Sequence, residues 1–190
     1  MKESHFQAER LASNGGYTWT LVTRLGDMLQ QAINLYGPRD MSWTILGVEF
    51  VLDGPRIWYP ESRKDVVVQL GRLALNDTVQ ACYQLAHESI HLLAPFGSSL
   101  APALEEGLAT VFSEDYVKAK FGVIYTPETP SYQAAASLVR HLLSADPKAI
   151  KKLREVELSF MKMTQETFDT AKVIVPEGLI QKLLQPFVRS

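Results

Sequence analysis

Residues 84–95, QLAHESIHLLAP, carry two histidines four positions apart, with a glutamate directly after the first. On an α-helix, residues four apart lie one turn above each other, so His87 and His91 can direct ring nitrogens at one metal ion. Glu88 lies about 100° further round the helix, within reach of a water in an open metal position. Such a metal would acidify the water, and the carboxylate would pass its proton to a leaving amine. The pattern predicts a metal-dependent hydrolase, and the alternative is a core helix that packs two histidines without a metal.

A third protein ligand is expected, because zinc in hydrolases usually has three and leaves the fourth position to water. Cys82 is the only cysteine, so a site of several thiolates is excluded and the ligands must be His, Asp or Glu. The nearest candidates are Glu105 and Glu106. Helical periodicity favours Glu105 as the inward carboxylate, since it lies nearer the centre of an apolar stripe formed by Leu104, Leu108, Val111 and Phe112.

Residues 104–109, LEEGLA, follow the histidine helix, and together the two segments resemble gluzincin metallopeptidases, the class that includes thermolysin and the aminopeptidase N family. In the latter family, the glutamate before the glycine is the third zinc ligand. The resemblance therefore implies one Zn²⁺ held by His87, His91 and Glu106, with Glu88 as the general base. Gly107 fits this assignment, because a missing side chain lets two helices approach closely beside the metal.

Residues 132–143, YQAAASLVRHLL, are similar to the helix of the same family that begins with a tyrosine. That resemblance implies that the hydroxyl of Tyr132 stabilises the oxyanion of the tetrahedral intermediate. An ordinary aromatic at a helix start is the alternative. His141 is a rival for the same role, and Tyr116 and Tyr125 are weaker rivals without a motif.

The resemblance covers residues 84–142 and departs from the family in several places. Thr110 occupies the position where thermolysin-like enzymes have an aspartate that orients a histidine, so the residues that orient the ligands are not assigned. The segment by which aminopeptidases recognise a free amino terminus is missing, so the choice between endopeptidase and exopeptidase stays open. The class also implies a strand at the rim of the cleft, for which residues 65–70, DVVVQL, are the candidate; an ordinary sheet strand is the alternative.

Hydrophobic periodicity and turn signals place these motifs in an α+β chain. A first helix is predicted over residues 17–36, followed by strands within 43–60 and 65–70 on either side of turn signals. A helix is then predicted from an N-cap at Asn76 or Asp77 to residue 95, and another over 102–122, closed by Gly122. Further helices are predicted over 131–145, 147–171 and 176–187. The prediction is one zincin-like domain over residues 1–190: an N-terminal helix and small sheet (1–75), a zinc-binding helical core (76–145) and C-terminal helices (146–190).

Composition restricts the partners. A net charge of −2, with no long basic run, does not indicate nucleic acid as a partner. No apolar stretch is long enough to span a bilayer, and the first sixteen residues lack the apolar core of a secretory signal, so we expect a cytoplasmic protein with no membrane partner. The expected substrate is a peptide or protein segment, and no oligomeric state is indicated. The alternatives are a regulatory zincin-domain protein that acts on one partner and a non-catalytic scaffold.

Overall fold

The structure of the chain is a computed structural model that describes residues 8–10, 17–60, 64–97 and 101–190, the first three and residues 17–19 by their backbone alone. Most of the N-terminal segment considered for a secretory signal lies outside these residues, as do residues 98–100 of the loop after the histidine helix. The described part is a mixed α+β fold with seven α-helices, a three-stranded sheet and a separate two-stranded pair. None of the described helices has both the length and the apolar surface that a bilayer span requires.

The strands precede most of the helices, as predicted. In chain order the elements are β1 (Ala8–Arg10), β2 (Tyr17–Thr20), α1 (Leu21–Tyr36), β3 (Thr44–Val51), β4 (Arg56–Trp58), β5 (Asp65–Gly71), α2 (Thr78–His91), α3 (Ala103–Phe121), α4 (Pro130–Ala145), α5 (Ala149–Val156), α6 (Gln165–Thr170) and α7 (Glu177–Leu184), with short 3-10 turns at Arg72–Ala74 and Phe160–Lys162.

The first helix is shorter than predicted, because β2 occupies Tyr17–Thr20. Thr20 and Thr23 form a capping box in which the Thr20 backbone N–H donates to the Thr23 hydroxyl at 2.7 Å. The reciprocal bond runs from the Thr23 backbone N–H to the Thr20 hydroxyl at 3.3 Å. A capping box satisfies backbone donors that a helix start leaves unpaired, so it defines Leu21 as the first helical residue.

The central strand of the sheet is β5, which is parallel to β3 on one side and antiparallel to β4 on the other. The side chain of Gln69 links all three strands. Its Oε1 accepts from Arg56 Nε of β4 at 2.7 Å, and its Nε2 donates to the Glu49 carboxylate of β3 at 2.7 Å. Since both sides of β5 are paired, it has no free edge that an added peptide strand could use. The assignment of residues 65–70 to the rim of a cleft is therefore wrong, and the edge strands of this sheet are β3 and β4.

The histidine helix α2 lies at the centre of the fold, in contact with α1, α3 and β5. Every residue from Ala81 to Ile90 is buried. Asp77, one of the two predicted caps, begins the helix by accepting from the backbone N–H of Gln80 at 2.9 Å. The side-chain oxygen Oε1 of Gln84 accepts from the backbone N–H of Gly71 at 2.8 Å, and this bond connects α2 to the end of β5.

The predicted helix over residues 147–171 is wrong, because the chain forms two helices, α5 and α6, with a 3-10 turn between them. At the end of α5 the backbone N–H of Ser159 donates to the Glu157 carboxylate at 2.9 Å, and this local bond replaces a helical one. A second capping box, between Thr164 and Thr167, then starts α6.

Arg154 of α5 is a buried guanidinium that holds several backbone ends together. It is 1% exposed, and no carboxylate in the described ranges forms an ion pair with it. It donates instead to five carbonyls, those of Tyr36, Gly37, Pro38, Leu93 and Leu158, at 2.8–3.3 Å. Burial lowers the pKa of Arg154 to about 10. Because four of these carbonyls lie at or just after the ends of α1 and α2, the guanidinium connects the ends of both helices to α5.

Arg154→Met should lower the free energy of unfolding by about 3–5 kcal/mol, because it removes a buried charged donor and leaves its carbonyl partners unpaired. Lys151→Met, on the exposed side of the same helix, is the control and should change it by less than about 0.5 kcal/mol. Urea denaturation of both variants measures the difference. Equal stabilities would show that the five carbonyls find other donors.

Candidate metal centre

Three of the predicted residues meet at one place. His87 and His91 lie one turn apart on α2, and Glu106 lies in the first turn of α3. The Glu106 carboxylate is 3.2 Å from His87 Nε2 through one oxygen and 3.8 Å from His91 Nε2 through the other. One ligand atom from each residue falls within 4.8 Å of the other two, so this group could hold a metal ion.

The donor atoms suit a zinc ion. Two imidazole nitrogens and one carboxylate oxygen form a ligand set typical of catalytic zinc sites. With metal–ligand bonds of about 2.0–2.1 Å and tetrahedral angles, the ligand atoms would stand about 3.3 Å apart. The two oxygens of Glu106 lie 3.2 Å from His87 Nε2 and 3.8 Å from His91 Nε2, and the three ligand atoms lie within 4.8 Å of one another, so they would have to draw closer around a zinc ion.

The histidines and carboxylates of this group stabilise each other's charged forms. Burial works against a charged His91, but the carboxylates of Glu106 and Glu105 raise its pKa to about 10. Burial likewise works against a charged Glu106, but the imidazoles of His91 and His87 lower its pKa to about 2. The Glu106 carboxylate is thus held as an anion that faces positive charge.

Glu105 does not belong to the three-residue group. Its side chain is buried, at 6% exposure, and its Oε1 lies 2.8 Å from Nδ1 of His91, the ring nitrogen on the far side from Glu106. The apolar stripe correctly predicted that Glu105 faces inward. The carboxylate that joins both Nε2 atoms is nevertheless that of Glu106, the residue that the family resemblance implies.

Glu88 is buried at the floor of the cleft beside the two histidines. Burial raises the pKa of its carboxyl group, against the opposing charges of His91 and His87. Among the described residues, no side chain donates a hydrogen bond to this carboxylate. It is therefore a buried carboxylate of raised pKa, open to a water or a substrate group.

Tyr132 reaches the same place from the first turn of α4. Its ring lies 5.7 Å from that of His87, edge to face, and lines the cleft. Burial raises the pKa of Tyr132 to about 12, so the hydroxyl stays protonated and can donate. His141 is exposed further along α4 and does not line the cleft. Tyr116 and Tyr125 donate to Asp27 and Gln80, and of these only Tyr125 borders the cleft.

The cleft has two parts that share His87, Glu88 and Tyr132. One, of about 310 Å³, also contains His91 and Glu106. The other, of about 470 Å³, extends toward the start of α2 and is lined by Gln80, Tyr83, Tyr125, Thr129 and Arg189. The β4 edge borders the first part through Arg56 and Ile57. The candidate site therefore lies in a groove with an edge strand along one wall.

Several cleft residues were not predicted as site residues from the sequence. Tyr59, Phe96 and Met161 complete the apolar wall, although the segment around Met161 reads as an ordinary packing helix. Near the end of the chain, the ring of Phe187 lies 4.8 Å from that of Tyr132, and the guanidinium of Arg189 lies 6.0 Å from it. These residues are distant in sequence from the motifs, so only tertiary packing brings them there.

Comparison of the chain with protein-family models, with curated proteins and with solved structures found no match.

Gly107 lets α4 approach α3 next to Glu106. A Cβ at this position would lie 2.7 Å from the carbonyl carbon of Ala135 and 2.8 Å from a Val139 methyl. Real Cβ atoms essentially never approach this closely. Because the Ala135 obstacle is backbone, it cannot be relieved by a side-chain rotation. The close contact places the start of α4, and with it Tyr132, beside His87, His91 and Glu106.

Gly107→Ala should destabilise the protein by about 1–3 kcal/mol, because the added methyl forces α3 and α4 apart. Gly26→Ala on α1 is the matched control: nothing lies within 4 Å of the added Cβ, and a helical Gly→Ala change alone should stabilise by about 0.5–1 kcal/mol. Thermal and urea unfolding compare the two variants. A stabilised Gly107→Ala protein would show that the helices separate without cost.

Proposed function

We propose that this protein is a zinc-dependent metallopeptidase of gluzincin type, with a zincin-like fold. The observation that carries the proposal is the meeting of His87, His91 and Glu106 in a cleft that Glu88 and Tyr132 also line. A divalent cation held by two histidines and a carboxylate, beside a further carboxylate and a phenol, is an arrangement suited to hydrolysis of an amide.

His87 and His91 would hold the cation through Nε2, and Glu106 through its carboxylate. When bound, the cation supplies Lewis acidity toward water and toward a carbonyl oxygen. The sequence of α2 makes Glu88 a separate group: it follows His87 directly, so it points to a different side of the helix and is not part of the ligand set.

Glu88 would act first as a base and then as an acid. It would accept a proton from the attacking water and donate it to the nitrogen of the leaving amine. Its burial favours this exchange, because the raised pKa of the carboxyl group makes the carboxylate more basic and makes the protonated form easier to reach.

Tyr132 would donate its hydroxyl proton in a hydrogen bond to the oxygen that becomes negatively charged during attack. The phenol remains protonated because burial raises its pKa to about 12. Phe187 packs against the ring and limits its movement, so the donor is held in place before the reaction.

A peptide substrate fits the shape of the site. The edge strand β4 runs along the first part of the cleft, and its outer side is not paired with any described strand. An extended peptide could hydrogen-bond to this edge and place an amide beside Glu88. We propose β4 for the rim role that the sequence assigned to residues 65–70.

Metal content tests the ligand set. Protein purified without chelator or histidine tag should contain about one equivalent of zinc by elemental mass spectrometry, as a single three-ligand site requires. Glu106→Ala should lose the zinc, and Glu114→Ala, which changes a carboxylate further along α3, should keep it. Wild-type protein that stays metal-free after zinc is supplied would contradict the proposal.

Activity tests the chemistry. Glu88→Gln should keep its zinc but cleave peptides about 10²–10⁴-fold more slowly than wild type, because the general base is lost. A proteome-derived peptide library, analysed by mass spectrometry, supplies the substrates. Many products would indicate a general peptidase, and one dominant product a regulatory enzyme with a single partner. Zinc-loaded wild type without any cleavage would support the non-catalytic scaffold instead.

Tyr132→Phe should lower kcat about 10²–10³-fold and leave zinc content unchanged, since it removes one donor to the oxyanion. Tyr116→Phe is the control, because its hydroxyl donates to Asp27 outside the cleft. Steady-state kinetics on a cleaved peptide measure both variants. An unchanged kcat for Tyr132→Phe would assign oxyanion stabilisation to another group.

A further inference from the structure

Glu105 and Glu106 are adjacent in sequence but contact His91 from opposite sides of its ring. Glu105 Oε1 is 2.8 Å from Nδ1, and Glu106 Oε1 is 3.8 Å from Nε2. Consecutive residues on a helix point about 100° apart, so the first turn of α3 can place its two carboxylates against opposite nitrogens of one histidine. The imidazole ring is therefore held between two carboxylates of one helix turn.

The contact at Nδ1 determines the chemistry of Nε2. A neutral imidazole has one N–H donor and one acceptor nitrogen, and a carboxylate only accepts. In the neutral form, which a metal-ligating histidine must adopt, Nδ1 therefore carries the proton that is shared with Glu105. Nε2 is then the nitrogen with the free lone pair, and it faces Glu106 and the rest of the ligand group.

No other described side chain fills this role for His91. Thr110, at the position where thermolysin-like enzymes have an orienting aspartate, donates its hydroxyl to the backbone carbonyl of Glu106 at 2.8 Å. Glu105 itself is almost fully buried, and a buried carboxylate without a partner would carry a large desolvation cost. The His91 N–H is its hydrogen-bond partner.

We propose that Glu105 is the positioning residue of the metal site: it holds His91 as the Nδ1–H tautomer, fixes the ring orientation and turns Nε2 toward the cation. This inference rests on the proposed function, because it assumes that the group holds a metal. Carboxylates that accept from the second nitrogen of a ligating histidine also raise the basicity of the ligand. In this chain Glu105, the residue before the proposed ligand Glu106, would accept from Nδ1 of His91 in this way.

The rival explanation is that Glu105 merely joins α2 to α3 as a buried polar contact. The two explanations differ in what a substitution changes. A joining contact affects the unfolding temperature of the metal-free protein but not the coordination of the metal. A positioning residue affects metal affinity and the ligand field at the metal, even in variants that fold normally.

The test compares Glu105→Gln, Glu105→Ala and the control Glu114→Gln. Glu105→Gln has nearly the same shape and keeps an oxygen that can accept from Nδ1–H, but it lacks the charge. Glu114→Gln removes the same charge from the same helix, where the carboxylate pairs with Arg140 instead of a histidine. Zinc affinity is measured by competition with a chromophoric chelator. Co²⁺ absorption spectra and the NMR signal of the His91 Nδ1 proton report the coordination directly.

We expect zinc affinity to fall about 10–100-fold in Glu105→Ala and by a smaller factor in Glu105→Gln, with no change in Glu114→Gln. The Co²⁺ spectrum should shift in both Glu105 variants, and the Nδ1 proton should exchange faster with water in Glu105→Ala. Folded Glu105 variants with wild-type zinc affinity and an unchanged Co²⁺ spectrum would overturn the positioning role and leave the proposed peptidase intact. Wild type that binds neither Zn²⁺ nor Co²⁺ would overturn both.

Discussion

The pairing between α2 and the first turn of α3 is the interaction on which the rest of the candidate site depends. α2 is buried along most of its length and yet carries His87, Glu88 and His91. Buried ionisable groups require partners, because charge is costly away from water. Glu105 and Glu106 supply partners for the two histidines, at 2.8 Å to His91 and 3.2 Å to His87. The helix that contains the motif can therefore occupy the centre of the fold only if α3 begins beside it with two carboxylates.

A second constraint places Tyr132 beside this pairing. Gly107 follows the two carboxylates and allows the backbone of α4 to pack against α3 without a side chain between them. The end of the chain then closes over both helix starts. The backbone N–H of Phe187 donates to the carbonyl of Ala101 at 2.8 Å, and its ring packs on Tyr132. The cleft is thus formed by the sheet edge, α2, the starts of α3 and α4, and the C-terminal segment.

Sequence patterns predicted the local features well. The four-residue spacing placed His87 and His91 on one face of a helix, because an α-helix has 3.6 residues per turn. Asp77 and Gly122 marked helix ends correctly, since a side-chain cap and a left-handed glycine depend on neighbouring residues only. The α+β order of elements also agrees with the structure. Two wrong boundaries, at Thr20 and between α5 and α6, involve threonine capping boxes inside longer apolar patterns that also suit a continuous helix. The predicted end of α2 was also wrong, because the helix ends at His91 and not at residue 95.

The sequence by itself determined which side chains share a helix face, because that depends on local geometry. It restricted the third candidate ligand to two neighbouring glutamates. Periodicity favoured Glu105 and the family resemblance favoured Glu106, since an apolar stripe shows which side faces inward and not what lies there. Tertiary structure decided that Glu106 faces both Nε2 atoms and that Glu105 contacts Nδ1 of His91. It also decided that β4 is the strand at the cleft, because strand order depends on pairings between distant segments. Contacts between residues that are distant in sequence depend on how the elements pack, and the spacing of residues along the chain does not predict that packing.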